Sequence, residues 1–596
     1  MNNTTVFDYI LTEKENFKTV RVPLTNSKDW NMREHIERCT NVANGWFHSG
    51  KNDGIRPYND IVTPIVDVAF RSEGFDVKDI VPYVDNINFA YKSFLIKKFH
   101  PQWARKHELD TFIDEVVESS VIYDLVLIKN INNVRPEVVP LQQIAFCDQT
   151  DVLAGSVCLL HQYSPSELIK FKSKWDSKKI DNIITLAGNS KTNLIANGKE
   201  VKTPGKYIEI YELHGEFPEI WLNDTGDKDK YIPQLHIVGF YTDDKGEKQG
   251  ITLFKGKNKP IGDTFKALKI DTVRSYGRAC GRSVVERLFE PQVWNNYAGI
   301  KLKELLDSAI NIFQTSSDEY GNQKLSDIKP NTILKHETNK PITKIDGTLQ
   351  NLGAYQNYQI QTENNARILG SASDAQLGTN PVSGTPFALQ SLIVQQGQGI
   401  HEYRQGKIAT FFADVLYRDW ILKFLVSDMN KGQKFSEELS FDELQEISKI
   451  IATNVAEKEI KNKILKGEKI EESDRESLIT LHMESFKQNG SRGFFEVMQK
   501  EFEDIPVAVM VNIKGKQKNM VQNADKLSNI ISQVMRNPQA FNSIPGLAKT
   551  FNELLENSGL SPIDFAKITS PVPTYKEIET PTVAPPEEAV VENLKK

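Results

Sequence analysis

The hydrophobic period of this chain changes twice, and that change constrains the fold more than any single motif does. Between about 121 and 260 the apolar residues come in short runs rich in Val, Ile and Tyr: YDLVLIKN, EVVPL, VLAGSVCLLHQY, KYIEIYELHG, EIWLN and QLHIVGFYT. Gly, Pro, Asn and Asp separate them, which is the pattern of strands and turns. QLHIVGFYTDDKGEKQGITLF reads as one hairpin turning at 243–246, and Ser164 to Trp175 as a capped helix between strands. On either side the spacing is helical. YNDIVTPIVDVAF sets Ile61, Ile65 and Val68 on one face before a Ser-Glu-Gly break, and 87–122 aligns Ile113, Val116, Val117 and Ser120. The expected class is α+β, with a strand-rich region set among helices.

After Pro260 the helical period returns. Arg278 to Phe289 leads to Pro291, which suits the first turn of a second helix running to about Ile310. Strand-like fragments and turn signals fill 311–350. A helix is predicted over 352–369, then a loop, then one long helix from Phe387 to about Ser427 weakened at Gly397, Gly399 and Gly406. Helices near 441–466 and 473–488 and a strand over 507–515 follow. The stretch 569–596 holds Pro571, Pro573, Pro581, Pro585 and Pro586 without apolar periodicity, and reads as a disordered tail.

Charge narrows the function. The 596 residues carry 73 Lys+Arg against 79 Asp+Glu, a net charge of −6, which excludes a highly basic protein that holds nucleic acid statically. Cys39, Cys147, Cys158 and Cys280 form no CxxC pair, so neither a disulfide framework nor a zinc ribbon is expected. The first residues, MNNTTVFDYILTEKEN, lack a basic start followed by an apolar run, so no signal peptide is expected. The longest apolar stretches, such as 121–128, fall far short of the roughly 20 residues of a membrane helix.

The catalytic inventory is poor. Gly399 to Lys407 superficially mixes a phosphate loop with a zincin helix. The Gly spacing is wrong for the loop, and Ile408 stands where it needs a hydroxyl; His401-Glu402 has Gln405 where a zincin needs its second His. His236 fits a satisfied sheet residue. No enzyme, catalytic residue, metal site or cofactor is expected.

Uncharged polarity is the stronger signal. The 54 residues from Thr348 to His401 hold three charged side chains, Glu363, Arg367 and Asp374, where the chain average of 26% would give about 14. Eight Gln or Asn lie between Gln350 and Asn365. Such a helix suits a subunit interface, where desolvating charge is costly, or a wall past which a charged polymer slides. A Gln-rich stretch of no special role is the third reading.

Over about 58–430 the order of these pieces resembles the portal proteins of tailed bacteriophages. YNDIVTPIVDVAFRSEGFDV is similar to the early portal helix ending at a Gly turn. FIDEVVESSVIYDLVLIKN with RPEVVPLQQIAFCDQTD resembles the helix-to-strand entry of the wing sheet. YGRACGRSVVERLFEPQVWNNYAGIKLKELLDSA, with Gly277 and Gly281 framing a turn, resembles the lead into the first stem helix. ARILGSASDAQLGTNPVSGTPFALQ resembles the second stem helix, the channel loop and the start of the long wing helix.

The resemblance implies a portal-like fold: an N-terminal region and wing over 1–280, stem helices over 281–310 and 351–369, and a small α/β clip over 311–350. A channel loop over 370–386, a long wing helix over 387–430, a crown with returning wing elements over 431–568 and the tail complete it. It implies a ring of twelve copies at one capsid vertex, made in the host bacterial cytoplasm and ending in the virion. Double-stranded DNA would pass through the ring during packaging and ejection. The major capsid protein, the terminase large subunit and a neck or adaptor protein would be its partners, with no membrane. Gln376, Thr379, Asn380 and Ser383 become the channel-loop candidates, and Asp318, Glu319, Tyr320 and Asn322 the clip contacts. The rival expectation is a non-enzymatic helical interaction scaffold or another structural virion protein.

Overall fold

The computed structural model describes residues 5–26, 28–45, 58–83, 90–131, 135–189, 194–196, 199–201, 207–223, 225–243, 246–272, 277–308, 312–314, 343–345, 352–372, 376–377, 387–431, 441–466, 474–484 and 508–511. The class is mixed α+β, with several sheets among helices.

The largest sheet has five antiparallel strands in the order Lys248–Lys257, Tyr231–Thr242, Ile208–Pro218, Val157–Tyr163, Ile144–Phe146. The expected hairpin is its edge: Thr242 pairs with Lys248, and Gly246 takes the left-handed φ of 84° that the turn requires. Helix Val6–Thr19 covers one face, setting Phe7 on Phe240 and Tyr9 between Phe146, Phe217 and Trp221. The other face buries Leu168, Ile180 and Ile183 of the inserted helices Pro165–Lys170 and Ser177–Asn189. Ser164 caps the first of these in a reciprocal box with Glu167, as the sequence suggests; the second helix was not foreseen. EIWLN is not a strand. Glu219–Trp221 forms a 3₁₀ turn that stacks Trp221 on Phe217 at 4.9 Å, a contact between residues four apart that an extended chain cannot make.

A three-stranded sheet, Phe265–Leu268, Val126–Lys129 and Glu137–Val138, lies beside the first. Helices Thr63–Glu73 and Leu109–Tyr123 pack near it, burying Ile65, Val68, Ile113, Val116, Val117 and Ser120 on the faces their spacing predicts. Pro291 does not begin a helix. One helix, Val284–Ser308, runs through it, because Val285, Leu288, Gln292, Asn295 and Ala298 form one buried stripe on both sides. Burial of that stripe outweighs the hydrogen bond that a proline forfeits.

The long helix is continuous over 387–431, yet it is not uniform. Phe387–Phe411 is α, Phe412–Ile421 is π and Leu422–Lys431 is α again. Its buried residues explain why. They recur in pairs, Arg404/Gln405, Ile408/Ala409, Phe412/Ala413, Leu416/Tyr417, Trp420/Ile421 and Phe424/Leu425, a period of four. In an α-helix a stripe of period four gains about 40° per step, so five steps would carry it about 200° around the axis. A π segment, bonded i to i+5, has more residues per turn and drifts the other way. Ten residues of it return Phe424 and Leu425 to the core.

Candidate functional site

The uncharged region folds onto its neighbours as a helical hairpin. Helix Leu352–Leu369 lies along Val284–Ser308, and between them Ile312–Gln314 pairs antiparallel with Thr343–Ile345. The observed bounds of the second helix are those expected. Amides of both hairpin helices have a specific use. Gln359 donates to Asn295 Oδ1 at 3.1 Å; Gln292 donates to the Asn59 carbonyl at 2.7 Å and to Asn296 Oδ1 at 3.0 Å; the Ile61 amide donates to Gln292 Oε1 at 3.1 Å. Gln292 and Asn295 are fully buried. This neutral lattice roots the hairpin on 58–62 without the desolvation cost of ions.

Away from that seam the hairpin presents apolar side chains. Trp294, Tyr297, Tyr358 and Leu369 are exposed, Ile360 is 58% exposed and Ile368 75%. Trp294 and Tyr297 meet edge to face at 5.9 Å. Glu363 and Arg367 pair with each other at 2.7 Å, so the two charges of the second helix cancel locally.

At the hairpin base, the rejected Gly399–Lys407 motif has a different use. His401 Nδ1 lies 3.1 Å from Glu73 Oε1, and Arg404 Nε donates to the same oxygen at 2.8 Å. Arg404 Nη1 donates to Asp124 Oδ1 at 2.8 Å, and Nη2 to the Ser120 carbonyl at 2.9 Å. Gln405 donates to the Gly74 carbonyl at 2.7 Å. All of these side chains are buried. Burial pushes the Asp124 carboxyl up despite the Arg404 charge beside it. Nothing in the sequence marks this cluster except that His401, Arg404 and Gln405 fall on the period-four stripe.

The four cysteine thiols are buried, and burial pushes each up, Cys39 to about 12. His236 is half satisfied, Nε2 facing Gln234 at 2.8 Å while Nδ1 has no partner among the described residues, and burial holds it down to about 4. A cleft of about 460 Å³ is lined by Tyr9, Glu13, Phe146, Asp148, Gln149 and Ser156. Tyr9 is engaged with Ser156, Gln149 with Met32 and Val20, and Asp148 with 150–151. Among the described residues no group of three or more His, Cys, Asp or Glu could hold a metal, and no helix is long and apolar enough to cross a membrane.

Of the channel-loop candidates, Gln376 is half-buried beside Leu377, which packs on the core. Thr379, Asn380 and Ser383, the clip candidates Asp318, Glu319, Tyr320 and Asn322, and the 569–596 tail lie outside the described residues. No protein-family model matches the chain, and comparison with curated proteins finds no match.

Proposed function

We propose that this chain is a phage portal subunit that assembles into a ring at one capsid vertex and conducts double-stranded DNA during packaging and ejection. The observation that carries the reading is the helical hairpin. It is long and rooted by buried amides, its second helix carries only the paired charges of Glu363 and Arg367, and it exposes Trp294, Tyr297, Tyr358, Ile360, Ile368 and Leu369. A lone monomer gains nothing from such a surface; a neighbouring copy would cover it.

On this reading the hairpin helices are the stem, and the paired strands Ile312–Gln314 and Thr343–Ile345 stand at the root of the clip. The sheets form the wing, and 387–431 is the long helix that crosses it. The scarcity of positive charge along the second hairpin helix, where Arg367 alone is basic, suits a conduit, since tight phosphate binding would oppose translocation. The subunit carries no chemistry of its own. Terminase would supply the motor, and the capsid protein and the neck would be fixed partners.

Negative-stain imaging with light scattering tests this. The expected result is a closed ring with a central hole and a mass near twelve times 67.6 kDa. A chain that stays monomeric at every concentration, alone and with its capsid protein, overturns it.

A further inference from the structure

The buried cluster around Arg404 joins the long helix to the two helices against which the ends of the hairpin seat, and that placement says more than its contribution to packing. Arg404 belongs to the long helix. Glu73 ends helix Thr63–Glu73, and Asp124 caps Leu109–Tyr123 in the left-handed region at φ 51°. Asp124 uses every polar group it has. Its amide donates to the Ser120 carbonyl at 2.9 Å, Oδ1 takes Arg404, Oδ2 takes the Asp271 amide at 2.9 Å, and its carbonyl takes the Gly281 amide at 3.2 Å. Gly281 lies three residues before the first hairpin helix. A side chain there would place its Cβ 1.6 Å from Asp124 Oδ2, so only glycine lets the chain enter the hairpin at this angle. At the other end Gly370 closes the second hairpin helix. A Cβ there would sit 2.1 Å from Cγ2 of Ile65, on the helix that carries Glu73.

We propose that the Glu73–Arg404–Asp124 cluster is a mechanical joint that makes the hairpin and the long helix move as one unit. Among the described residues the guanidinium fork is the only group that bonds both carboxylates, one from each helix against which an end of the hairpin seats. Because both acids are buried and held by directional bonds, the joint has one arrangement rather than a range. Displacement of the hairpin at Gly281 or Gly370 therefore reaches 401–411 through Arg404. The inference stands on these contacts whatever the hairpin binds.

Arg404→Met tests it in the full chain: an apolar side chain of similar length fills the space, and because buried Glu73 and Asp124 lose their counter-ion, the sheet strands serve as the control for a general loss of stability. Amide hydrogen exchange is read in three regions. The expected result is exchange faster by about tenfold in 284–308 and 352–369, neither of which bonds Arg404, and in 401–411, with the Ile208–Thr242 strands unchanged. Loosening confined to 401–411 would show a local contact, and equal loosening of the sheet an ordinary stability effect; either overturns the proposal. Asp124→Asn keeps the shape and the bond from Asp271, and should give the same pattern more weakly. If Arg404→Met does not fold, that variant decides by the same three regions.

Discussion

Glu212 sits where the two larger sheets meet. Lys129 Nζ lies 2.6 Å from each of its oxygens, and His161 and His214 bring Nε2 to 3.0 and 2.9 Å. Burial alone would push the carboxyl up, but the hydrogen bonds from His161 and His214 and the charge of Lys129 outweigh it and hold it well below the usual carboxylate range. A carboxyl whose pKa falls on folding adds stability above its unfolded value, and that stability is lost as pH drops through the folded value. Glu212→Gln should therefore cost about 3 kcal/mol at pH 7, because it leaves Lys129 without its counter-ion. The gap should begin to narrow as pH falls below about 4.3, the unfolded value, and close only as pH passes the lower folded value. Urea unfolding at pH 7 and pH 3.5 checks this; an undiminished gap at the lower pH would falsify the charge assignment. The thiols give a second test at this scale. Native protein should leave all four cysteines unreacted with an aromatic disulfide reagent over minutes, and denatured protein should titrate four. One fast equivalent in the native state would contradict their burial. Neither Glu212 nor Arg404 was legible in the sequence as a buried group. The partner of Arg404 on the adjoining helix is 280 positions away, and a charged residue reads as surface until its partner is known.

Elements were more legible where one local rule dominated. The second hairpin helix was placed residue for residue, since a helical apolar stripe met a clear Gly stop. The 231–257 hairpin followed from its turn residues. Where a local rule met a tertiary one, the tertiary one won: Pro291 is absorbed into a helix whose buried stripe spans it, and Trp221 pulls 219–221 out of the strand state by stacking on Phe217. The π segment was also written in the sequence, as a period of four, but a search for the α-helical period passes over it. Deleting exposed Asp414 tests that account. One residue fewer relaxes the segment toward α and turns everything downstream by about 100° with a shift of about 1.5 Å, taking Phe424 and Leu425 off the core. The melting temperature should fall by about 2 °C, which is what a loss of roughly 2 kcal/mol implies for a chain of this length. A deletion that melts with the parent would mean that period four does not set the helix geometry.

At the scale of the whole molecule, the portal reading depends on what covers the hairpin. The sequence offered two uses for the uncharged stretch that forms its second helix, an interface between copies or a wall along the channel, and the exposed Ile360 and Ile368 bring the choice to two residues. An interface must exclude water from them, whereas a wall leaves them wet beside the passing polymer. Ile360→Glu with Ile368→Glu adds two carboxylates per copy at mostly exposed positions outside the buried core, so secondary structure and melting should match the parent. If the surface is an interface, each ring contact must then desolvate those charges without partners, and assembly should fail. The scattering mass should fall to that of one chain, 67.6 kDa. If the double variant closes rings as readily as the parent, Ile360 and Ile368 face the channel, and the interface between copies must be sought on the other side of the hairpin, around exposed Trp294 and Tyr297.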